Sequence, residues 1–340
     1  MNKKALLRVG VALSMVLAFT FIAHEYRSNS TTSADFPTRV IASADPLVDL
    51  SIVEGSSGSE IGKLLFDVGI IESAQSFFKL AIADPRASRI APGVHQLNLK
   101  ISSQQALEQL LDPKRMPNLI KISEGAWNSE ILMMLEQNGF DHSDIQQAAT
   151  KVVLPEGFTI LEGLLFPAQY SFAKGSTALD AFESMITNFL KKTQSLALDK
   201  DPVLNKQQIV TAASIIQAEG NTEDFAKISR VIRNRLKFGM PLQMDSTVHY
   251  VKKVRGSVFL STQSTLLKSP YNTYRKYGLP PGPIGNPGFE ALNAAINPVD
   301  GNWLYFITVS PGDTRFTSDI AEFNTWKILY TKNRKAGAFK

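Results

Sequence analysis

Residues 207–219 (QQIVTAASIIQAE) are apolar enough to demand a buried setting, yet the run ends on a carboxylate. The pattern predicts a helix stopped by Gly220 as its C′ glycine. Glu219 follows Ile216 and Ile215 by three and four residues, and Ala212 by seven. It therefore shares their face and not the opposite, polar one. A Glu on an apolar face loses hydration, so its pKa rises and a protonated acid becomes available near neutral pH. From this helix alone, a Glu at a frayed end that reaches solvent is the simpler reading. Such a helix needs a large core around it, and a chain of 340 residues is long enough for two domains.

The N-terminus points to a membrane. Asn2-Lys3-Lys4 precedes residues 5–23, which are apolar except for Arg8 near the start. As a helix that run spans roughly 28 Å, close to a bilayer core, with Arg8 reaching the near interface. Lys3, Lys4 and Arg8 then stay cytoplasmic and the rest of the chain lies outside the cytoplasm. A cleaved signal peptide competes, because the uninterrupted stretch 9–23 is short. No A-x-A site follows, only His24-Glu25-Tyr26-Arg27, which favours an uncleaved single-pass anchor. The absence of cysteine removes disulfides and thiolate chemistry. The net charge of +5 and a pI near 9.2 suit an anionic neighbour such as lipid or cell-wall polymer. The basic residues read as scattered and no nucleic-acid motif accompanies them, so nucleic acid is discounted as a partner.

Residues 27–44 are rich in Ser, Thr and Ala without apolar periodicity and read as a tether. A small α+β module follows, with strands over 49–53 and 94–101 and helices over 60–68, 74–83 and 104–111. A second segment begins with a strand at 119–122 and a helix at 129–138. Amphipathic helix 178–192 leads to the Glu219 helix, and 223–238 forms another, ended by Gly239. Residues 269–298, rich in Pro, Gly and Asn, read as one long loop, and 303–309 as a strand.

The four histidines are isolated, with no H-E-x-x-H and no Cys partner, so no metal site is expected. No Walker, Rossmann or G-x-S-x-G pattern appears, and nothing calls for a cofactor. Carboxylates are better placed. Glu162 runs into the apolar stretch 164–166, and Leu242-Gln243-Met244-Asp245 interleaves hydrogen-bonding and apolar side chains. Blocks 269–274 (SPYNTY) and 278–288 (GLPPGPIGNPG) add rings, amides and rigid backbone. Sugars are recognised by that mixture, flat apolar faces for the ring and planar amides or acids for its hydroxyls. An inert ordered loop explains the Pro-Gly block equally well. Glycan hydrolysis usually needs two flanking carboxylates. One suffices when a substrate hydroxyl is the nucleophile, which gives an internal anhydro-sugar. Spacing alone leaves both routes open.

Several blocks in fixed order resemble the YceG-like family of endolytic murein transglycosylases. They are LEGLLFP at 161–167, ASII-x-x-E at 213–219, NRL-x-x-GM-x-LQ-x-D-x-T-x-x-Y at 234–250, SPYNTY at 269–274 and GLPPGPI-x-NPG at 278–288. The resemblance covers most of the chain beyond 24. It implies an α+β protein with a single transmembrane anchor (1–24), a linker (25–46), a LysM-like α+β module (47–118) and a mixed α+β catalytic domain (119–340). That domain would sit on the periplasmic side of the inner membrane and cleave nascent peptidoglycan strands to 1,6-anhydro-N-acetylmuramic acid ends. The family's catalytic acid falls on Glu219. Gln243, Asp245, Tyr271 and Asn272 are then the expected substrate-positioning residues, with Glu162 supporting the site. Peptidoglycan synthases are further candidate partners. Departures are Gln217-Ala218-Glu219 for a common Glu-Lys-Glu, Pro167-Ala168-Gln169-Tyr170 for Pro-Asp-Thr-Tyr, and Glu322-Phe323-Asn324 for Glu-His-Asn. Residues two apart do not share a helical face, so Gln217 need not reach the Glu219 site. Two other functions fit less well: a hydrolytic muramidase and a non-catalytic wall-binding scaffold.

Overall fold

Capping and alternation build the first of two compact units, which comprises the described residues up to Leu119 together with Tyr170–Lys174. The computed structural model describes residues 33–256 and 260–339. The expected anchor lies outside them, and among the described residues no helix is long and apolar enough to cross a membrane. Strands β1 (Leu47–Ile52) and β2 (Gly93–Asn98) pair antiparallel, from Leu47 opposite Asn98 to Ile52 opposite Gly93. Helices α1 (Gly58–Asp67) and α2 (Ala74–Ala83) come between them in the chain and α3 (Ser103–Leu111) after. Ser57 and Glu60 close a capping box that starts α1, the Ser57 N–H donating to Glu60 Oε2 at 2.6 Å. Alternation brings Leu50, Ile52 and Leu97 to one buried face, against Ile61, Leu65, Phe77 and Leu107 from the helices.

The segment read as a tether is held in its described part. The Asp35 carboxylate accepts the Ser103 N–H at 2.9 Å, at the first turn of α3, where unpaired N–H groups favour an anion. Arg39 pairs with Asp45 and donates to the Leu99 carbonyl. Composition hid this, because the two charged anchors stand among Ser and Thr.

The second unit holds Ile120–Gln169 and Gly175 onward. Its helices are α4 (Asn128–Gln137), α5 (His142–Lys151), α6 (Ala178–Thr193), α7 (Lys206–Glu219), α8 (Phe225–Lys237), α9 (Asp245–Lys252), the single turn α10 (Thr262–Thr265) and α11 (Phe289–Ile296). A hairpin of β3 (Tyr305–Ser310) and β4 (Asp313–Thr317) follows, backed by α12 (Ile320–Lys335). Helix α7 is the axis of this unit. Every residue from Ile209 to Ile216 is buried, and it packs against α8, α9 and α11. Asn205 starts it through a capping box with Gln208. Burial of Ile215 and Ile216 stabilises the unit by about 1.5–3 kcal/mol each.

The stretch 269–298 is not one loop, because its last part is α11. Residues 282–288 are buried as irregular chain. Their polar backbone is satisfied by side chains from elsewhere: Ile284 N–H donates to Ser214 Oγ at 3.0 Å and Gly288 N–H to Gln217 Oε1 at 3.0 Å. The strand expected at 119–122 shrinks to Ile120–Lys121.

Candidate active site

Helix α7 ends at Glu219, and the way it ends sets the acid's surroundings. Gly220 is not a left-handed C′ glycine. It is extended, with φ −156°. Glycine is needed there for space, since a Cβ would run into Ile228 Cδ1 of α8. The chain can therefore turn tightly out of α7, leaving Glu219 half-buried.

Glu219 Oε1 accepts the Ser246 N–H at 3.1 Å, in the first turn of α9. Burial is the largest influence on this carboxyl and pushes its pKa up. The hydrogen bond from the Ser246 N–H opposes that shift, the Asp245 charge adds to it, and Arg235 opposes it. Desolvation wins, so the acid is held protonated above the ordinary carboxylate range. Arg235 is itself buried, donating from Nε to the Leu304 carbonyl at 2.6 Å and from Nη1 to that of Leu242. Those bonds tie α8 to the hairpin and to the chain entering α9.

A second carboxyl faces the same helix. Glu162 is 9% exposed and accepts the Asn128 N–H and the Tyr250 hydroxyl, both at 2.9 Å. Burial raises its pKa to about 7 against those two hydrogen bonds. Gly163 beside it has φ +92°, and a Cβ there would meet Pro283 and Val210 at 2.8 Å, so this turn needs glycine. Ser246 and Tyr250 are four apart on α9 and share a face. Glu219 and Glu162 are thus both held by α9, one through a backbone N–H of its first turn and the other through the Tyr250 hydroxyl a turn further on. The Tyr250 ring lies edge-on to Trp127 at 5.6 Å and tilted against Tyr271 at 5.3 Å.

The remaining expected residues divide. Gln243 and Asp245 are exposed. Gln243 adopts φ +49°, a left-handed conformation that costs a non-glycine residue about 1 kcal/mol and collects at functional sites. Its N–H donates to the Thr273 carbonyl at 3.1 Å, which holds it there. Asp245 accepts the Tyr274 hydroxyl. Tyr271 is half-buried against Tyr250. Asn272 is fully buried, and its amide donates to the carbonyls of Thr265 at 2.9 Å and Leu267 at 2.8 Å. With its Oδ1 accepting the Tyr274 N–H, Asn272 shapes the loop and has no donor left for a substrate.

Sequence reasoning passed over several residues that hold the site. Thr247 and Thr273 are buried with hydroxyls 3.0 Å apart and lock the SPYNTY turn onto α9. Asn286 accepts the Leu165 N–H and donates to the Ala126 carbonyl and Asn128 Oδ1, each at 2.8 Å. It clamps the Glu162 loop and the start of α4 to the Pro-Gly block. An Asn buried in an apolar Pro-Gly run was the available signal. Gln217 points to Gly288 and away from Glu219. Among the described residues no cluster of His, Asp and Glu could hold a metal ion.

Glu219 thus closes a core helix as a half-buried, desolvated acid on the first turn of α9, with the charges of Asp245 and Arg235 nearby. The chain belongs to the YceG-like family, whose model matches residues 50–327. It is 31% identical over 315 residues to an endolytic murein transglycosylase of Bacillus subtilis (strain 168), covering 85% of this chain and 86% of that protein. An endolytic murein transglycosylase of Streptococcus pneumoniae (strain R6) is 28% identical over 96% of this chain, which spans 62% of that longer relative. The crystal structure of a yceG-like protein from Listeria monocytogenes matches with a TM-score of 0.52 at 25% identity, covering 82% of this chain and 98% of that one.

Proposed function

We propose that this protein is an endolytic murein transglycosylase with Glu219 as its acid and then its base. The observation that carries the reading is the desolvated Glu219 carboxyl, protonated above the usual range and held by one backbone N–H at the head of α9. As an acid, Glu219 donates its proton to the glycosidic oxygen between N-acetylmuramic acid and N-acetylglucosamine as the C1–O bond breaks. As a carboxylate, it takes the proton from the muramic C6 hydroxyl, whose oxygen attacks C1 and closes the 1,6-anhydro ring. No water is consumed. The hydrolytic alternative needs a second free carboxylate to activate water. Glu162, the other carboxyl facing α9, has one oxygen on the Asn128 N–H and the other on the Tyr250 hydroxyl, which suits positioning better than attack.

Gln243, Asp245 and Tyr271 position the glycan in this reading, supported by the exposure of the first two and the strained backbone of Gln243. The βααβ order of β1, α1, α2 and β2 suits a LysM-like glycan-binding module. Residues 5–23 are read as a single-pass anchor with the folded units on the outer, periplasmic face of the inner membrane, where peptidoglycan synthases would be neighbours. The experiment is product analysis by mass spectrometry on polymerised, uncrosslinked glycan strands with wild type and Glu219→Gln. Internal cleavage with anhydro ends, lost in the variant, is expected. Cleavage by Glu219→Gln at the wild-type rate overturns the assignment of the acid, and a wild type that binds glycan without cleaving it is a scaffold.

A further inference from the structure

The basic residues are spread along the chain, but the acidic ones that would balance them are missing from one stretch. From residue 246 to 289 the chain has no Asp or Glu but six Lys and Arg: Lys252, Lys253, Arg255, Lys268, Arg275 and Lys276. With a net charge of +5 for the whole protein, the rest is close to neutral. Arg255 leaves this group, since it pairs with Glu130 and stacks on Trp127 at 3.8 Å. The other five are exposed, and among the described residues none pairs with a carboxylate.

Hydrogen bonds bring two of these cations, Lys252 and Arg275, to one apolar tip, which Lys268 follows directly in the chain. Lys252 Nζ, at the end of α9, donates to Ser264 Oγ of α10 at 2.9 Å. Arg275 Nη1 donates to the Leu266 carbonyl at 3.1 Å, and the buried Asn272 amide holds the carbonyls of Thr265 and Leu267. The backbone of the tip is therefore fastened inward at three consecutive residues. Its side chains nevertheless face out, with Leu266 58% and Leu267 36% exposed. A fastened loop that presents two leucines beside unpaired cations is built to meet something both apolar and anionic.

We propose that this tip docks the catalytic unit on an anionic bilayer surface, Leu266 and Leu267 entering the headgroup–acyl boundary and the surrounding cations meeting lipid headgroups. A bilayer uses both parts of the patch. A glycan with acidic stem peptides would use the cations and leave the leucines in water. Because Tyr274, one residue before Arg275, bonds Asp245 at the head of α9, docking would hold the Glu219 site close to the membrane plane.

The chain has no cysteine, so a single Leu266→Cys in the full-length protein carries one environment-sensitive fluorophore, with Val203→Cys, exposed elsewhere in the same unit, as the control. Both are reconstituted in phosphatidylcholine vesicles with and without phosphatidylglycerol. The expected result is a blue shift and shielding from acrylamide at position 266 only, only with phosphatidylglycerol, and lost when Lys252, Lys253, Lys268 and Lys276 are all changed to Gln. Equal quenching at 266 and 203 in anionic vesicles overturns the proposal. So does shielding at 266 that appears only when glycan strands with acidic stem peptides are added, which would make the patch a substrate subsite. No glycan is cleaved in this readout, so its failure leaves the assignment of Glu219 untouched.

Discussion

Replacing Glu162 with Gln should remove a large pH dependence of stability from the second unit. Glu162 titrates near 7 in the folded protein against 4.5 as a free side chain, because burial outweighs its bonds to Asn128 and Tyr250. A carboxyl whose folded pKa is raised contributes stability that is fully present below its unfolded pKa and is lost as pH rises through the folded one. The shift corresponds to roughly 3 kcal/mol in total, of which about 2.5 kcal/mol is lost between about pH 5 and pH 8. Gln keeps the shape, accepts the Asn128 N–H through Oε1 and can donate to the Tyr250 oxygen, but it does not ionise. Glu219 is shifted in the same direction and is present in both proteins, so the difference between wild type and variant isolates Glu162. All three tryptophans, Trp127, Trp303 and Trp326, lie in the second unit, so their fluorescence during urea unfolding reports the relevant transition. Wild type should lose about 2–3 kcal/mol relative to Glu162→Gln across that range. Parallel stability curves for the two proteins would refute the claim that this carboxyl is held protonated by burial.

Three further outcomes follow from the packing around the site. Gly220→Ala forces a methyl group against Ile228 Cδ1 and should cost about 1–3 kcal/mol in a thermal melt, recovered in the double variant with Ile228→Val, which deletes that atom. Asn286→Ala leaves the Leu165 N–H and the Asn128 Oδ1 short of a partner, while the Ala126 carbonyl keeps the backbone N–H of residue 286, and should cost roughly 2–4 kcal/mol in denaturant unfolding. Gln217→Glu restores the common family acid but still accepts the Gly288 N–H, so stability should stay within about 0.5 kcal/mol. Its cleavage rate should also stay near wild type, and a rate gain of roughly tenfold or more would bring that position back into the chemistry.

Much of this site was legible from local pattern, and what was not depended on distant partners. The apolar run before Glu219 predicts α7 over 207–219, and the Asn205–Gln208 capping box accounts for its start at Lys206. The need for glycine at 220 is another matter, because Ile228, on the next helix, leaves no room for a Cβ there. The resemblance makes Asn272 a substrate-positioning amide. The same residue closes a turn onto Tyr274, and nothing in the composition of SPYNTY separates those uses. Helix α11 was hidden by the Pro-Gly block that precedes it, and α12 lacks a fully buried residue to mark its inner face. Glu162 stood out beside core, but its partners Asn128 and Tyr250 are 34 and 88 residues away in the chain. Its shift is a tertiary property that no local motif encodes.

The central claim is that Glu219 passes a proton between two substrate oxygens without the help of water. The most direct test digests uncrosslinked glycan strands in heavy-oxygen water and weighs the new ends. Wild type should give anhydro ends with no heavy oxygen incorporated, and Glu219→Gln should give none. New ends that carry one heavy oxygen atom would mean water is the nucleophile, and the account of Glu219 as a lone acid and base would fall.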